Sequence, residues 1–392
     1  MQLDLTVSLV HNSISLKIPQ GGKNMFKKFL PWYLLALVVL SLAFIYGCGS
    51  SPTSGGGGGG ISGRDYYGMD SMGDTVKVTV NDTAFSVHFE SGTMEGITFS
   101  GKITHPASGL LSGEVTSSSD PAKIGIGDIF YAYEITDEVI VIGGGPHDGG
   151  TIMICPALSN TAPSACSFEG ITIARTDWLD PQNQDVCMTA ELSGSGPYTI
   201  QGYNYDEEGG AAGSGTISGW HFTGGRLCTA DADADTAPQF FFSPKGMVAM
   251  SGNREGSGWR DGEMVGAIYD STVSTLELAT DKCYIGMSFA RDLDSNNTYV
   301  EAITVESTGV ETLTVSSMEV SSGAALGVRG TITLGAMGDP GQGIIDATIN
   351  SEGTDYQAKM VAYKYQNTPD KYAVCGFVSI ETNAMSFFAI EQ

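Results

Sequence analysis

From residue 75 to the C-terminus the chain is cut into short runs that alternate apolar and polar side chains or are wholly apolar. Each run is closed by glycine, asparagine, aspartate or serine. Residues 75–80 and 84–89 begin the series, and 138–142, 151–155, 170–174, 197–203, 239–243, 246–251 and 264–269 continue it. The last part of the chain adds 283–289, 298–304, 328–334, 344–349, 356–363, 372–380 and 385–390. These runs are rich in Val, Ile, Thr, Tyr and Phe, which fit a pleated, half-buried surface. No apolar stripe of helical period follows Cys48. The expectation is an all-β fold of antiparallel meander sheets, forming two barrel- or sandwich-like domains. With 392 residues, 41% of them hydrophobic, the chain has enough material for a sizeable core.

The polar, small-residue segment 229–238 (Thr-Ala-Asp-Ala-Asp-Ala-Asp-Thr-Ala-Pro) marks a boundary between a first β domain, 64–230, and a second, 239–392. One continuous β domain with a long acidic loop is the alternative. The balance of 19 basic against 44 acidic residues, a net charge of −25, leaves no positive footprint for nucleic acid.

The first sixty residues carry an address. Lys27 and Lys28 precede the uncharged stretch 29–47, which ends at Gly47-Cys48 and is followed by a Ser/Gly-rich tract with six consecutive glycines, 55–60. A basic patch, an apolar run and a small residue at the cut describe an export signal. Residues 27–48 resemble the lipobox of bacterial lipoproteins, with Ile45 and Gly47 on the pattern and Tyr46 where a small residue is usual. The resemblance implies a signal peptide over 25–47, cleavage after Gly47, a lipid on Cys48 and a flexible tether over 48–63. Gly49, not an aspartate, resembles the class sorted to the outer membrane, on its periplasmic face or at the cell surface. An uncleaved apolar helix is the competing interpretation, since 29–47 is just long enough to span a bilayer. Residues 1–24 place polar sequence ahead of the basic patch and read as an upstream extension before a start at Met25.

Six cysteines remain after Cys48: Cys155, Cys166, Cys187, Cys228, Cys283 and Cys375. An even set in an exported chain reads as disulfides, although spacing alone does not choose among the pairings. Nearest-neighbour pairing gives Cys155–Cys166, Cys187–Cys228 and Cys283–Cys375. A metal site is the other option, without a C-x-x-C spacing to support it.

Chemistry-bearing motifs are sparse. No G-x-S-x-G elbow, H-E-x-x-H pair or Walker loop occurs. His147, beside Asp148 in a glycine-rich loop, is the one candidate general base, for a hydrolase. Two acidic segments offer hard oxygens for calcium: Asp231, Asp233 and Asp235, and the series Asp292, Asp294 and Asn296. The second lacks the closing glutamate of an EF-hand. Tyr203, Asn204 and Tyr205 interleave rings with a polar group and are the candidate ligand-binding platform. The expected role is therefore non-enzymatic binding or structure in a lipid-anchored extracytoplasmic protein with a glycan or protein partner. A calcium-assisted glycan-binding module is the alternative, and a hydrolase using His147 comes third.

Overall fold

The structure is a computed structural model. It describes residues 8–10, 13–15 and 61–392, apart from 107–108, 145–149, 174–185, 207–209, 224, 230–238, 252–263, 293–297, 339–340, 368 and 381–382. The chain divides into two compact units, Met1–Gly59 and Gly60–Gln392. In the first, β1 (Ser8–Val10) pairs antiparallel with β2 (Ser13–Ser15). The expected signal peptide, Cys48 and the glycine run lie outside the described residues.

The second unit is almost wholly β and consists of three closed antiparallel barrels of eight strands each, every one a simple meander. The first contains β3 (Arg64–Asp70), β4 (Thr75–Val80), β5 (Ala84–Phe89), β6 (Thr98–Thr104), β7 (Leu111–Ser118), β8 (Ile129–Ile135), β9 (Val139–Gly144) and β10 (Thr151–Pro156). It closes where Ile154 of β10 pairs with Met69 of β3. The second contains β11 (Cys166–Thr172), β12 (Cys187–Ser193), β13 (Tyr198–Tyr205), β14 (Ala211–Thr223), β15 (Arg226–Thr229), β16 (Gln239–Phe242), β17 (Met247–Ser251) and β18 (Met264–Ile268), with β18 returning to β11. A short helix, α1 (Thr275–Ala279), leads into the third. This barrel contains β19 (Cys283–Asp292), β20 (Thr298–Gly309), β21 (Thr312–Met318), β22 (Ala325–Met337), β23 (Ile344–Ser351), β24 (Thr354–Asn367), β25 (Asp370–Ile380) and β26 (Asn383–Glu391), and β26 pairs back onto β19. Closure removes free sheet edges, which is how an all-antiparallel chain of this length avoids pairing with other chains.

The all-β meander architecture is as the sequence pattern implies, but there are three barrels where two domains were expected. The proposed division into 64–230 and 239–392 cuts through the second barrel. Arg226 on β15 pairs with Phe241 on β16, so the acidic segment between them joins neighbouring strands of one barrel. Several strands outside the runs read from sequence, β7 and β14 among them, lack an apolar run, although β8 (Ile-Phe-Tyr-Ala-Tyr-Glu-Ile) has one. The glycine- and serine-rich β14 (Ala-Ala-Gly-Ser-Gly-Thr-Ile-Ser-Gly-Trp-His-Phe-Thr) has weak strand propensity. Its place between β13 and β15 supplies hydrogen-bond partners on both sides.

Alternation places one side-chain set inside each barrel and the other outside. Val76, Val78 and Val80, with Phe85, Val87 and Phe89, fill the first interior. In β9 and β10 the alternate residues Val139, Val141, Ile152 and Ile154 are buried as well, in a cluster shared by all three barrels. The second barrel contributes Ile171, Phe241, Met247, Ala249 and Val265 to that cluster, and the third contributes Ile285, Met287, Phe289, Phe377 and Phe388. This double burial explains the wholly apolar runs, since strands covered on both faces have no solvent side to keep polar. Gly143 allows the close approach of the first and third barrels: a Cβ there would lie 2.7 Å from the Met287 sulfur.

The expected disulfides are absent, and all six cysteines are free thiols. Cys155 faces the interior of the first barrel and Cys166 packs against the core of the second, so two sheet walls separate them. Strands β13 and β14 stand between Cys187 and Cys228, and β26 between Cys283 and Cys375. A disulfide needs Cα atoms within about 7 Å and converging Cβ vectors, which intervening strands spaced about 4.8 Å apart do not permit.

Candidate functional site

The residues singled out in sequence do not assemble into one site. His147, Asp231, Asp233, Asp235, Asp294 and Asn296 lie outside the described residues. Asp292 ends β19, its backbone paired with Asn383. Among the described residues no group of three or more His, Cys, Asp or Glu could hold a metal ion. Tyr203, Asn204 and Tyr205 follow one another on β13, where Ile200 faces inward. Asn204 therefore shares the inner face, and both tyrosines lie on the outer one. Tyr205 packs against the shared core, and the Tyr203 hydroxyl accepts from Gln201. His88 and His221 are exposed on strands, and His105 Nε2 lies 2.9 Å from the Asp82 carbonyl oxygen.

What distinguishes one region of the molecule is the way the three interiors are filled. In the first barrel Phe85, Phe99 and Phe130 form a ring cluster, with centroids 6.0 Å apart for Phe85–Phe99 and 5.2 Å for Phe99–Phe130. The space left among the side chains there is about 20 Å³. In the second barrel Trp220 meets Phe240 edge-on at 5.2 Å and Phe168 meets Phe240 at 5.4 Å. The Trp220 indole N–H donates to Ile217 O at 3.1 Å, so the ring is buried with its polar atom satisfied.

The third barrel is filled at one end only. At the end where β20 meets β21 and β22 meets β23, helix α1 closes the barrel. Ser274 caps it by accepting from the Glu277 N–H, and Leu278 and Ala279 are fully buried in the interior cluster. The Tyr284 hydroxyl donates to Leu278 O at 2.7 Å and the Ser307 hydroxyl donates to Ala279 O, which anchors the plug. Towards the opposite end the inward positions include Ser288, Ala290, Gly330 and Ser351. The result is a cavity of about 240 Å³. Eight strands enclose an interior that side chains either fill or leave for one small ligand.

The cavity wall is apolar: Ile303, Val315, Ile332, Ile349, Met385 and Phe387. Phe387 lies over the neighbouring strand because its cross-strand partner there is Gly376; a Cβ at Gly376 would come within 2.2 Å of the ring. Polar groups gather at the rim. Arg329 Nε donates to Ser317 Oγ at 2.7 Å and its Nη2 donates to Glu301 Oε1 at 2.7 Å. The hydrogen bond to that carboxylate raises the arginine pKa. Side-chain exposures of 62% for Arg329 and 37% for Glu301 show that this end reaches solvent. Ser288 and Glu301 are direct cross-strand partners on the inner face of β19 and β20. An apolar enclosure with a few polar groups at one end can hold and orient an amphipathic molecule. None of its residues was singled out from the sequence. The available signal was small or polar residues at inward positions of otherwise apolar strands, and it depends on knowing the register.

Two other buried acids tie barrels together. Glu138, at the β8–β9 turn, is 1% exposed. Its Oε1 accepts from the Ser243 hydroxyl, the Tyr363 hydroxyl and the Lys245 N–H, so groups from all three barrels meet on one oxygen. Its Oε2 is buried without a partner among the described residues, and burial raises the Glu138 pKa against the pull of those donors. Glu169 on β11 accepts from the Gly343 N–H at 2.6 Å, clasping the β22–β23 connection of the third barrel. Burial raises its pKa as well, opposed by the backbone donors of Gly343, Gln342 and Ile344.

No protein-family model matches the chain, and no curated protein matches it. Among solved structures it is similar to a mutant of the vaccine antigen transferrin binding protein B from Haemophilus parasuis Hp5, at 10% identity and a TM-score of 0.24. That alignment covers 84% of this chain and 66% of the other. Intact Ap-TbpB, with its N and C lobes, aligns at 9% identity and a TM-score of 0.25, over 81% of this chain and 66% of that one. The chain thus spans about two-thirds of the length of the structures it resembles.

Proposed function

We propose that this is a lipid-anchored, extracytoplasmic protein of the outer membrane that binds a small molecule in its third barrel. The observation that carries the binding role is the contrast between equal scaffolds. Two eight-stranded barrels are plugged with aromatic rings, while the third holds a cavity of about 240 Å³ beneath a polar rim. An unfilled apolar cavity lowers stability, by about 24 cal/mol per Å³ in large-to-small substitution series, and therefore asks for an occupant. The tether follows from the lipobox-like segment ending at Cys48. A single lipid-bearing residue and a glycine-rich linker would hold the acidic body off an anionic surface.

The anchor is tested by labelling cells with a radioactive fatty acid. Label on the intact chain that disappears in Cys48→Ser, with release of that variant from the membrane fraction, is the expected result. Equal labelling of both removes the tether. The binding role is tested by native mass spectrometry of protein drawn from its own membranes. A small-molecule adduct present in the wild type and missing from Ala290→Phe is expected, and an identical spectrum for the two removes the third barrel as the site.

A further inference from the structure

We infer that the ligand of the third barrel combines an apolar body the size of a single ring with a short, hydrogen-bond-donating head, amine or hydroxyl, and that a carboxylate head is rejected. This rests on the binding role just proposed and adds the ligand's chemical class. Size comes from the cavity. An engineered apolar cavity of about 150 Å³ admits benzene, so one of about 240 Å³ takes a ring plus a tail of a few atoms, about ten non-hydrogen atoms in all. The wall suits a ring, because the Met385 thioether and the Phe387 ring line it together, and both make favourable edge contacts with aromatic groups.

The head is set by what the rim leaves unused. Arg329 is already engaged by Ser317 and by Glu301 Oε1. Glu301 Oε2 has no protein partner among the described residues, and the Ser288 hydroxyl beside it on the neighbouring strand makes no protein hydrogen bond there either. Side chains directly opposite on one face of an antiparallel pair stand about 5 Å apart, within reach of one head group. A carboxylate oxygen accepts only, so the group it awaits is a donor. A bond from an ammonium to it is charge-assisted and stronger than one from a hydroxyl. An anionic head would have to draw Arg329 away from Glu301. It would also meet Glu319 and Glu352 on the strand connections of the same end. A net charge of −25 over the whole chain repels it further.

Calorimetric titration of the intact chain with 2-phenylethylamine, 2-phenylethanol and phenylacetate, with benzene as the headless reference, tests this. The amine is expected to bind tightest, the alcohol next, and phenylacetate about tenfold or more weaker than the amine. Glu301→Gln should reduce amine affinity about tenfold and leave benzene unchanged. Ala290→Phe should abolish all four while its melting temperature stays at or above that of the wild type. Phenylacetate binding as well as the amine, with benzene still blocked by Ala290→Phe, overturns the ligand class and leaves the site standing. No binding of any probe, benzene included, overturns both the class and the binding role on which it rests.

Discussion

A matched pair of substitutions separates a hollow barrel from a filled one. Ala290 on β19 lines the cavity of the third barrel, whereas Ala190 on β12 lies in the packed interior of the second, opposite Phe168. Phenylalanine at position 290 enters existing space. Fully burying such a side chain contributes about 1.5–3 kcal/mol, the alanine methyl already accounts for about 0.8 kcal/mol of that, and the open rim leaves part of the ring wet. Ala290→Phe is therefore expected to stabilise by about 1–2 kcal/mol. The same change at Ala190, which is 1% exposed, has no space to enter. It should destabilise by about 1–3 kcal/mol through displaced rings and off-rotamer side chains. Differential scanning calorimetry of both variants against the wild type reads the opposite signs directly. If Ala290→Phe destabilises as much as Ala190→Phe, the third barrel is not hollow in solution, and the ligand site argued from it goes too.

Glu138 gives a pH-dependent outcome. Its folded pKa stands above its unfolded value, so its contribution is fully present below the ordinary carboxylate range and lost as pH rises through the raised value. Stability measured by urea denaturation should fall over that interval in the wild type and flatten in Glu138→Gln; an unchanged slope in the variant would show that the acid ionises without penalty. Glu169→Ala should cost about 1–3 kcal/mol by removing the charged acceptor of the half-buried Gly343 N–H, with faster amide exchange at 342–344 as the local sign. Protection equal to that of the wild type would count against the clasp. Alkylation of the native protein without reductant should modify the exposed Cys283 first and spare Cys155 and Cys375, whose thiols burial pushes up. Denaturation should then expose all six to reagent, and any pair that resists until reduced would restore a disulfide to the fold.

Much of the sheet was legible because alternation is a local property. The runs at 75–80 and 84–89 coincide with β4 and β5 residue for residue. The runs at 138–142 and 151–155 overlap β9 and β10, whose burial on both faces only the tertiary structure shows. The strands that escaped notice, such as β7 and β14, carry glycine and serine where neighbours supply the packing. The two-domain division came from the polar segment 229–238, which lies in the chain between the paired strands β15 and β16. The cysteines misled for a related reason. An even count is a property of the chain, but bonding needs convergence across the sheet, and closure sends Cys155 and Cys166 into different interiors.

By itself, the sequence determined the strand-forming periodicity, the lack of a helix-period apolar stripe after Cys48 and the acidic composition. All of these are set by which side chains follow one another within a few residues. How many barrels close and which of them keeps a cavity were decided by tertiary structure alone. Closure pairs residues as distant as Ile285 and Ile390 and brings Ser288 beside Glu301 at a rim. A cavity exists only where inward positions from many strands are small together, a condition on the whole ring that no single stretch of chain contains.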